Sequence, residues 1–376
     1  MTVSSSRSRF FVPALVGCLL ASVLIGCESN DRLQRRSLQR PPSLGAADDD
    51  ARRSSTGTSP NRRSVTPRDI RVDDSWTFAG SSGRAIDSPN YHIRTTLAGS
   101  TRSRTTQILP YFYERALAHY CTALAPLPEP NDVMTTYLFD NQAQWEAKTR
   151  QLLPDRAGTF RMLGRGGFST DGTAVIWYIG RWDTLCIAAH EGWHQYTQST
   201  FKQKLPVWLE EGVATYMEGF TMGRDGLPRF KPKANSERWS TLRQTVHRNE
   251  LLDLEILLDS EPQRLLEAGK DKLLLYYAQV WALTRFLAEG ENGRYRPAMR
   301  EILQDAAHGR LVNRLVKSSN VGADERRYAL KNEGRGTALV REYFNADFHA
   351  FNQQYRAYVD ELVGFRTPER AAERGE

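Results

Sequence analysis

Residues 189–196 read AHEGWHQY, which places His190, Glu191 and His194 in a His-Glu-x-x-His pattern. On a helix, positions i and i+4 lie one turn apart on one face, so the two imidazoles can offer lone pairs to a single metal ion. Glu191 is displaced around the helix toward the position of an attacking water, where a carboxylate serves as general base. Catalytic zinc sites use three protein ligands and keep a further position open, so this reading demands a third ligand downstream. The metzincin pattern would need Gly at 197 and His at 200, and Thr197 and Thr200 stand there instead. The following helical stretch, VWLEEGVATYMEG (207–219), supplies two carboxylates, Glu210 and Glu211.

The elements that must carry these residues are legible in outline. Asp183 can cap a helix whose apolar positions Leu185, Ile187, Ala188, Ala189 and Trp193 continue to about Thr200. Upstream, NYHIRTTL (90–97) and VMTTYLFD (133–140) alternate as strands do, and residues 104–124 and 141–153 have helical spacing. In GRGGFSTDGTAVIWYIG (164–180) the TDG turn precedes a β-rich run from Ala174 to Ile179. Gly164, Gly166 and Gly167 form no phosphate loop, since no Gly-Lys-Ser/Thr follows, and a turn or hairpin is expected. From Ser236 to Leu362 the chain reads as amphipathic helix, including LLLYYAQVWALTRFLAEG (273–290). The expected fold is therefore α+β: a small mixed sheet with helices on it to about residue 204, then a mainly helical part.

Before this domain the chain has a different character. Arg7 and Arg9 precede the apolar run FFVPALVGCLLASVLIG (10–26), too short for a comfortable membrane span and organised like a secretory signal. LIGC (24–27) follows and resembles the lipobox of bacterial lipoproteins, which implies acylation of Cys27 and a membrane anchor. Residues 27–71 are rich in Arg, Ser, Pro and Asp without apolar periodicity, the composition of a disordered tether, leaving 72–376 as the domain. The net charge is +7, yet residues 1–71 hold twelve arginines against six acids and leave only +1 for the rest. A nucleic-acid enzyme carries its positive charge on the folded domain, so nucleic acid is not an expected partner. Of four cysteines, Cys18 lies in the signal and Cys27 at the lipobox; Cys121 and Cys186 can pair, or Cys186 can be a small buried residue one turn before His190.

Together HEGWHQY and WLEEG resemble the gluzincins, the thermolysin and aminopeptidase N type of zinc metallopeptidase. Trp208, Leu209, Glu211 and Gly212 match that family's Trp-Leu-x-Glu-Gly segment, which implies Glu211 as the third ligand of one Zn2+ ion and Glu210 as its neighbour. Sixteen residues separate His194 from Glu211, slightly fewer than in the aminopeptidase pattern. Glu218, two turns after Glu211, can accept a hydrogen bond from a ligand histidine, and Thr215, one turn after it, more weakly. The resemblance further implies an oxyanion donor on a later helix: Tyr277 is the first choice, with Tyr276 and His247 as alternatives. The same HE..HQ and P.WL.EG.A.Y.E arrangement is similar to an uncharacterised family of exported bacterial proteins, over about residues 90–300. No Gly-x-Met-Glu-Asn segment is present, so the resemblance favours an endopeptidase over an aminopeptidase, with peptide or protein as substrate. The competing expectation is a zincin-like lipoprotein that binds envelope polymers or protein partners without cleaving them. Trp177, Trp182, Trp193 and Trp208 can line a cleft but are expected mostly in the core, and the resemblance implies that the strand around Ala174 to Ile179 presents an edge for an extended peptide. If the lipobox reading holds, Cys27→Ser moves the protein from the membrane fraction to the soluble fraction on cell fractionation; equal membrane retention would contradict it.

Overall fold

The computed structural model describes residues 65–97, 100–156, 166–345 and 347–365. The expected signal with Cys18, the lipobox with Cys27, nearly all of the expected tether, and Gly164 lie outside the described residues. Cβ alternation and turn chemistry build a six-stranded mixed sheet from β1 (Arg71–Asp73), β4 (Arg84–Asp87), β5 (Tyr91–Thr95), β6 (Met134–Phe139), β7 (Gly167–Thr170) and β8 (Thr173–Trp177). A small hairpin of β2 (Thr77–Phe78) and β3 (Ser81–Ser82) is inserted after β1.

The spatial order is β1-β4-β5-β6-β8-β7. β5, β6 and β8 run parallel, joined through helices α1 (Ser100–Tyr120) and α2 (Gln142–Leu152), because parallel neighbours need a crossover rather than a tight turn. β7 and β8 form an antiparallel hairpin in which Thr170 faces Thr173. Asp171 (φ 47°) and Gly172 (φ 72°) both adopt the left-handed conformation that a two-residue hairpin turn of this kind requires.

This arrangement corrects the placement of the peptide edge. β8 lies inside the sheet, hydrogen-bonded to both β6 and β7, so the edge on that side is β7. Strand pairing also begins at Arg71, one residue inside the expected tether, where Arg71 sits opposite Asp87. Three residues are too few to show a period, so β1 left no pattern in the sequence.

α3 (Arg181–Thr200) carries the His-Glu-x-x-His pattern through the middle of the molecule, with every residue from Thr184 to Thr197 buried except Cys186. It starts three residues earlier than the Asp183 cap implied: Gly180 occupies the N-cap at φ 114°, and Asp183 falls in the first turn. α3 packs on α1, on β7 and β8, and on α4 (Val207–Met217). Its contact with α1 is close because residue 192 is Gly; a Cβ there would come 2.6 Å from the Tyr120 hydroxyl, which donates to the Ala189 carbonyl at 2.6 Å.

The hairpin of β9 (Phe220–Met222) and β10 (Pro228–Phe230) follows α4. Helices then dominate: α5 (Ser236–His247), α6 (Leu254–Asp259), α7 (Pro262–Glu267), α8 (Lys270–Glu289), α9 (Arg296–His308), α10 (Leu311–Lys317), α11 (Ala323–Lys331), α12 (Ala338–Phe344) and α13 (Phe348–Val363). The fold is α+β with a helical C-terminal part. α4 and α8 make the most extensive helix pair. Glycine at a helix interior costs about 1 kcal/mol against alanine, and Gly212 is there because a Cβ would lie 2.9 Å from the Val280 carbonyl of α8. Cys121 and Cys186 form no disulfide; the Cys121 thiol lies 3.8 Å from the Pro128 carbonyl, and Cys186 is a partly buried residue of α3. Trp193 and Trp208 are buried and Trp177 is half-buried, whereas Trp182 is 44% exposed and stacks on Phe220. No described helix is long and apolar enough to cross a membrane.

Candidate metal centre

His190 and His194 lie on the face of α3 that meets α4, and the first turns of α4 bring Glu210 and Glu211 to them. The two imidazole Nε2 atoms are 3.1 Å apart. Oε2 of Glu211 is 3.3 Å from His190 Nε2, and its Oε1 is 3.4 Å from His194 Nε2. Bonds of ~2.0–2.1 Å in a tetrahedral arrangement set ligand atoms about 3.3 Å apart, so the three side chains already have the spacing one ion imposes. They are the one group of three or more His, Cys, Asp or Glu among the described residues with ligand atoms close enough to share a metal ion.

Their other hydrogen bonds fix which atoms face inward. His190 Nδ1–H donates to Glu218 Oε1 at 2.7 Å, and His194 Nδ1–H donates to Glu210 Oε1 at 2.9 Å. With Nδ1 carrying the proton in each ring, both Nε2 atoms present lone pairs to the same point. Both Glu211 oxygens are buried and accept no hydrogen bond; the Nε2 atoms beside them are acceptors too, so the 3.3 and 3.4 Å approaches are not hydrogen bonds. In that tautomer four lone-pair atoms converge on one place, an arrangement a divalent cation fits.

The charge balance leads to the same result. Glu191, Glu210, Glu211 and Glu218 are buried around the two imidazoles, and Arg238 is the buried guanidinium that meets them. Buried carboxylates persist only when paired or coordinated to metal. Burial disfavours charge on both imidazoles, but Glu211 and Glu218 outweigh it at His190, and Glu211 and Glu210 at His194, so both pKa values are held up. Two Nε2 protons 3.1 Å apart would repel one another, whereas one divalent cation between them offsets two of the cluster's negative charges. Burial also opposes ionisation of Glu211, yet the two histidines hold its pKa down at about 2.

The supports of the ligands reach a third element of the fold, α5. Glu218, at the C-terminal end of α4, accepts from Arg238 Nη2 at 2.8 Å and Nε at 3.0 Å, and from Asn235 Nδ2 at 2.8 Å. Asn235 caps α5 by accepting from Arg238 N, so one residue orders the helix start and the carboxylate together. Glu210 accepts from the Thr197 hydroxyl at 2.8 Å as well as from His194. Glu210 therefore holds a ligand and is more than the neighbour of one. Thr215 does not meet a histidine: its hydroxyl turns back to the Glu211 and Gly212 carbonyls at 2.8 and 2.9 Å, as helical threonines do.

Glu191 is fully buried on the side of α3 facing β7, where the Ser169 hydroxyl reaches its Oε2 at 3.1 Å. Burial raises its pKa above the ordinary glutamate value, against the opposing pull of His194 and His190. Tyr277 of α8 stands edge-on to His190, ring centroids 6.0 Å apart, with the Arg238 guanidinium over its own face at 5.2 Å. Burial first, and then Glu211, push its pKa well up, so the hydroxyl keeps its proton. Tyr276 is buried beside it, ring against ring. His247 sits at the exposed end of α5 against Phe365 and is not brought to the cluster.

Residues 184–310, which contain every member of this cluster except Ser169, match the model of a family described as "Protein of unknown function (DUF1570)". The match covers about a third of the chain and makes that stretch similar to the family. No curated protein gives a significant match to the chain.

Removing a histidine's hydrogen-bond partner behind a metal ligand typically weakens metal affinity ~10–100-fold. Glu210→Gln is expected to weaken zinc binding by that amount, read by competition with a chromophoric chelator, and Glu211→Ala to abolish stoichiometric binding. Equal affinity in all three proteins would show that the cluster holds no metal.

Proposed function

We propose that the protein is a zinc-dependent peptidase of gluzincin type, most simply an endopeptidase, exported and tethered to a membrane through Cys27. The observation that carries this reading is the convergence of His190, His194 and both orphaned Glu211 oxygens beside a buried Glu191 of raised pKa. Two histidines and one carboxylate are a ligand set that suits zinc in a catalytic site. When bound, zinc would supply Lewis-acid polarisation of the scissile carbonyl and a lowered pKa for water.

The chain's own residues supply the rest. His190, His194 and Glu211 hold the ion, and Glu218 and Glu210 lock the imidazoles in the tautomer that presents Nε2. Glu191 takes a proton from the attacking water and delivers it to the leaving amine, so one carboxylate serves as base and then acid. Tyr277, kept neutral by burial, donates its hydroxyl hydrogen to the carbonyl oxygen as negative charge develops there. β7, the sheet edge beside Glu191, can align an extended peptide by main-chain hydrogen bonds.

General acid–base residues contribute ~10²–10⁴-fold to rate. Glu191→Gln is therefore expected to keep a full equivalent of zinc and lose cleavage of a mixed peptide library by that factor. A fully active Glu191→Gln protein would rule out this mechanism. A zinc-loaded wild-type protein that cleaves no peptide would favour the alternative, a zincin-like lipoprotein that binds envelope polymers or partner proteins.

A further inference from the structure

Two residues of β7 face Glu191 and do different things to it. Alternation along a strand puts residues 167 and 169 on the same face. A Cβ at Gly167 would come 3.1 Å from Glu191 Cγ and 3.1 Å from Ile187 Cγ2, so the bare glycine lets the strand backbone lie against the aliphatic stem of the glutamate. One step along the same face, the Ser169 hydroxyl is 3.1 Å from Glu191 Oε2 and 2.8 Å from the Glu191 carbonyl oxygen. The single hydroxyl hydrogen is shared between these two acceptors, so one strand meets both the stem and the head of the same side chain. Ser169 is 2% exposed, so water does not compete for these contacts.

The strand itself is anchored to α3 on the far side of Glu191. Gln195 Nε2 donates to the Gly172 carbonyl at 2.8 Å and to the Thr135 carbonyl at 2.7 Å, and its Oε1 accepts from the Thr136 hydroxyl at 3.1 Å. Gln198 Nε2 donates to the Ser169 carbonyl at 3.3 Å, while its Oε1 accepts from Gly172 N at 3.2 Å. Gln195 and Gln198 follow Glu191 at one and two turns, so the base and the two anchors form one row along the helix. Residue 169 therefore cannot drift relative to residue 191.

We propose that Ser169 is a positioning residue that holds the Glu191 carboxylate in one orientation for proton transfer. This inference rests on the peptidase reading for its kinetic consequence, but the hold itself is independent of it. Misplacement of a reacting group by about 1 Å can cost on the order of 10²-fold in rate. In the full-length zinc-loaded protein, Ser169→Ala is expected to lower kcat ~10–100-fold, leave KM within about twofold and leave zinc content unchanged. Ser169→Thr, which keeps the hydroxyl, is expected to restore kcat, whereas the isosteric Ser169→Val stays low. The Thr and Val pair decides the question even if Ser169→Ala fails to fold.

Crystal structures of the same zinc-loaded proteins supply a readout independent of activity. They should show a single Glu191 carboxylate orientation in the wild type and a displaced or split one in Ser169→Val. A carboxylate that superposes in both, or equal kcat in the Thr and Val variants, overturns the proposal. A wild type that cleaves no peptide defeats the peptidase reading, while the carboxylate orientation still decides whether Ser169 fixes Glu191.

Discussion

A buried excess of negative charge is the constraint on which the rest of this structure depends. Four carboxylates surround two imidazoles in a largely buried region, and the Arg238 guanidinium neutralises only part of that charge. Charged groups in such a region cost several kcal/mol each unless compensated. The compensation has two layers. Arg238 and Asn235 hold Glu218 by three hydrogen bonds, and Burial of Glu211 between two lone-pair nitrogens leaves a place that one divalent cation satisfies. A metal ion bound there would couple to folding, since its charge would favour the native packing of the cluster.

The architecture is arranged to keep that cluster rigid. α3 is buried along its central length because it is gripped on three sides: by α1 through Tyr120 and Gly192, by the β7–β8 hairpin through Ser169, Gln195 and Gln198, and by α4 through the histidine–carboxylate pairs. α8 closes against α4 at Gly212 and brings Tyr277 edge-on to His190. Each grip uses a different sector of the helix. The sector with the two histidines, the sector with Glu191 and the packing sector thus stay separate, as the 3.6-residue period allows.

Much of this was legible in the sequence because the chemistry is local. His190, Glu191 and His194 lie within five residues, and Glu211 with Glu218 occupies one face of the next helix, so helical periodicity alone aligns them. The long strands β5, β6 and β8 and the helices around them carry periods long enough to read. What stayed hidden was long-range or very short. Arg238 and Asn235 meet Glu218 across 20 and 17 residues, and Ser169 meets Glu191 across 22, with no pattern that pairs them. β1 to β3 are two or three residues each and carry no period. Position of the sheet edge depends on strand order, which alternation does not encode, and so the edge is β7 and not β8. Thr215 failed for a local reason: a helical threonine satisfies its hydroxyl on the preceding turn before reaching outward. Glu210 needed the opposite correction, since only the angle between α3 and α4 turns it toward His194 Nδ1.

X-ray absorption at the zinc K edge of the purified, dialysed protein tests the central claim most directly, because it reads the donor set without reference to any substrate. The account predicts one tightly held zinc with a shell of nitrogen and oxygen donors at ~2.0–2.1 Å, the multiple-scattering signature of two imidazoles, and no sulfur. Zinc that dialyses away, a sulfur-containing shell, or six oxygen donors without imidazole would contradict it.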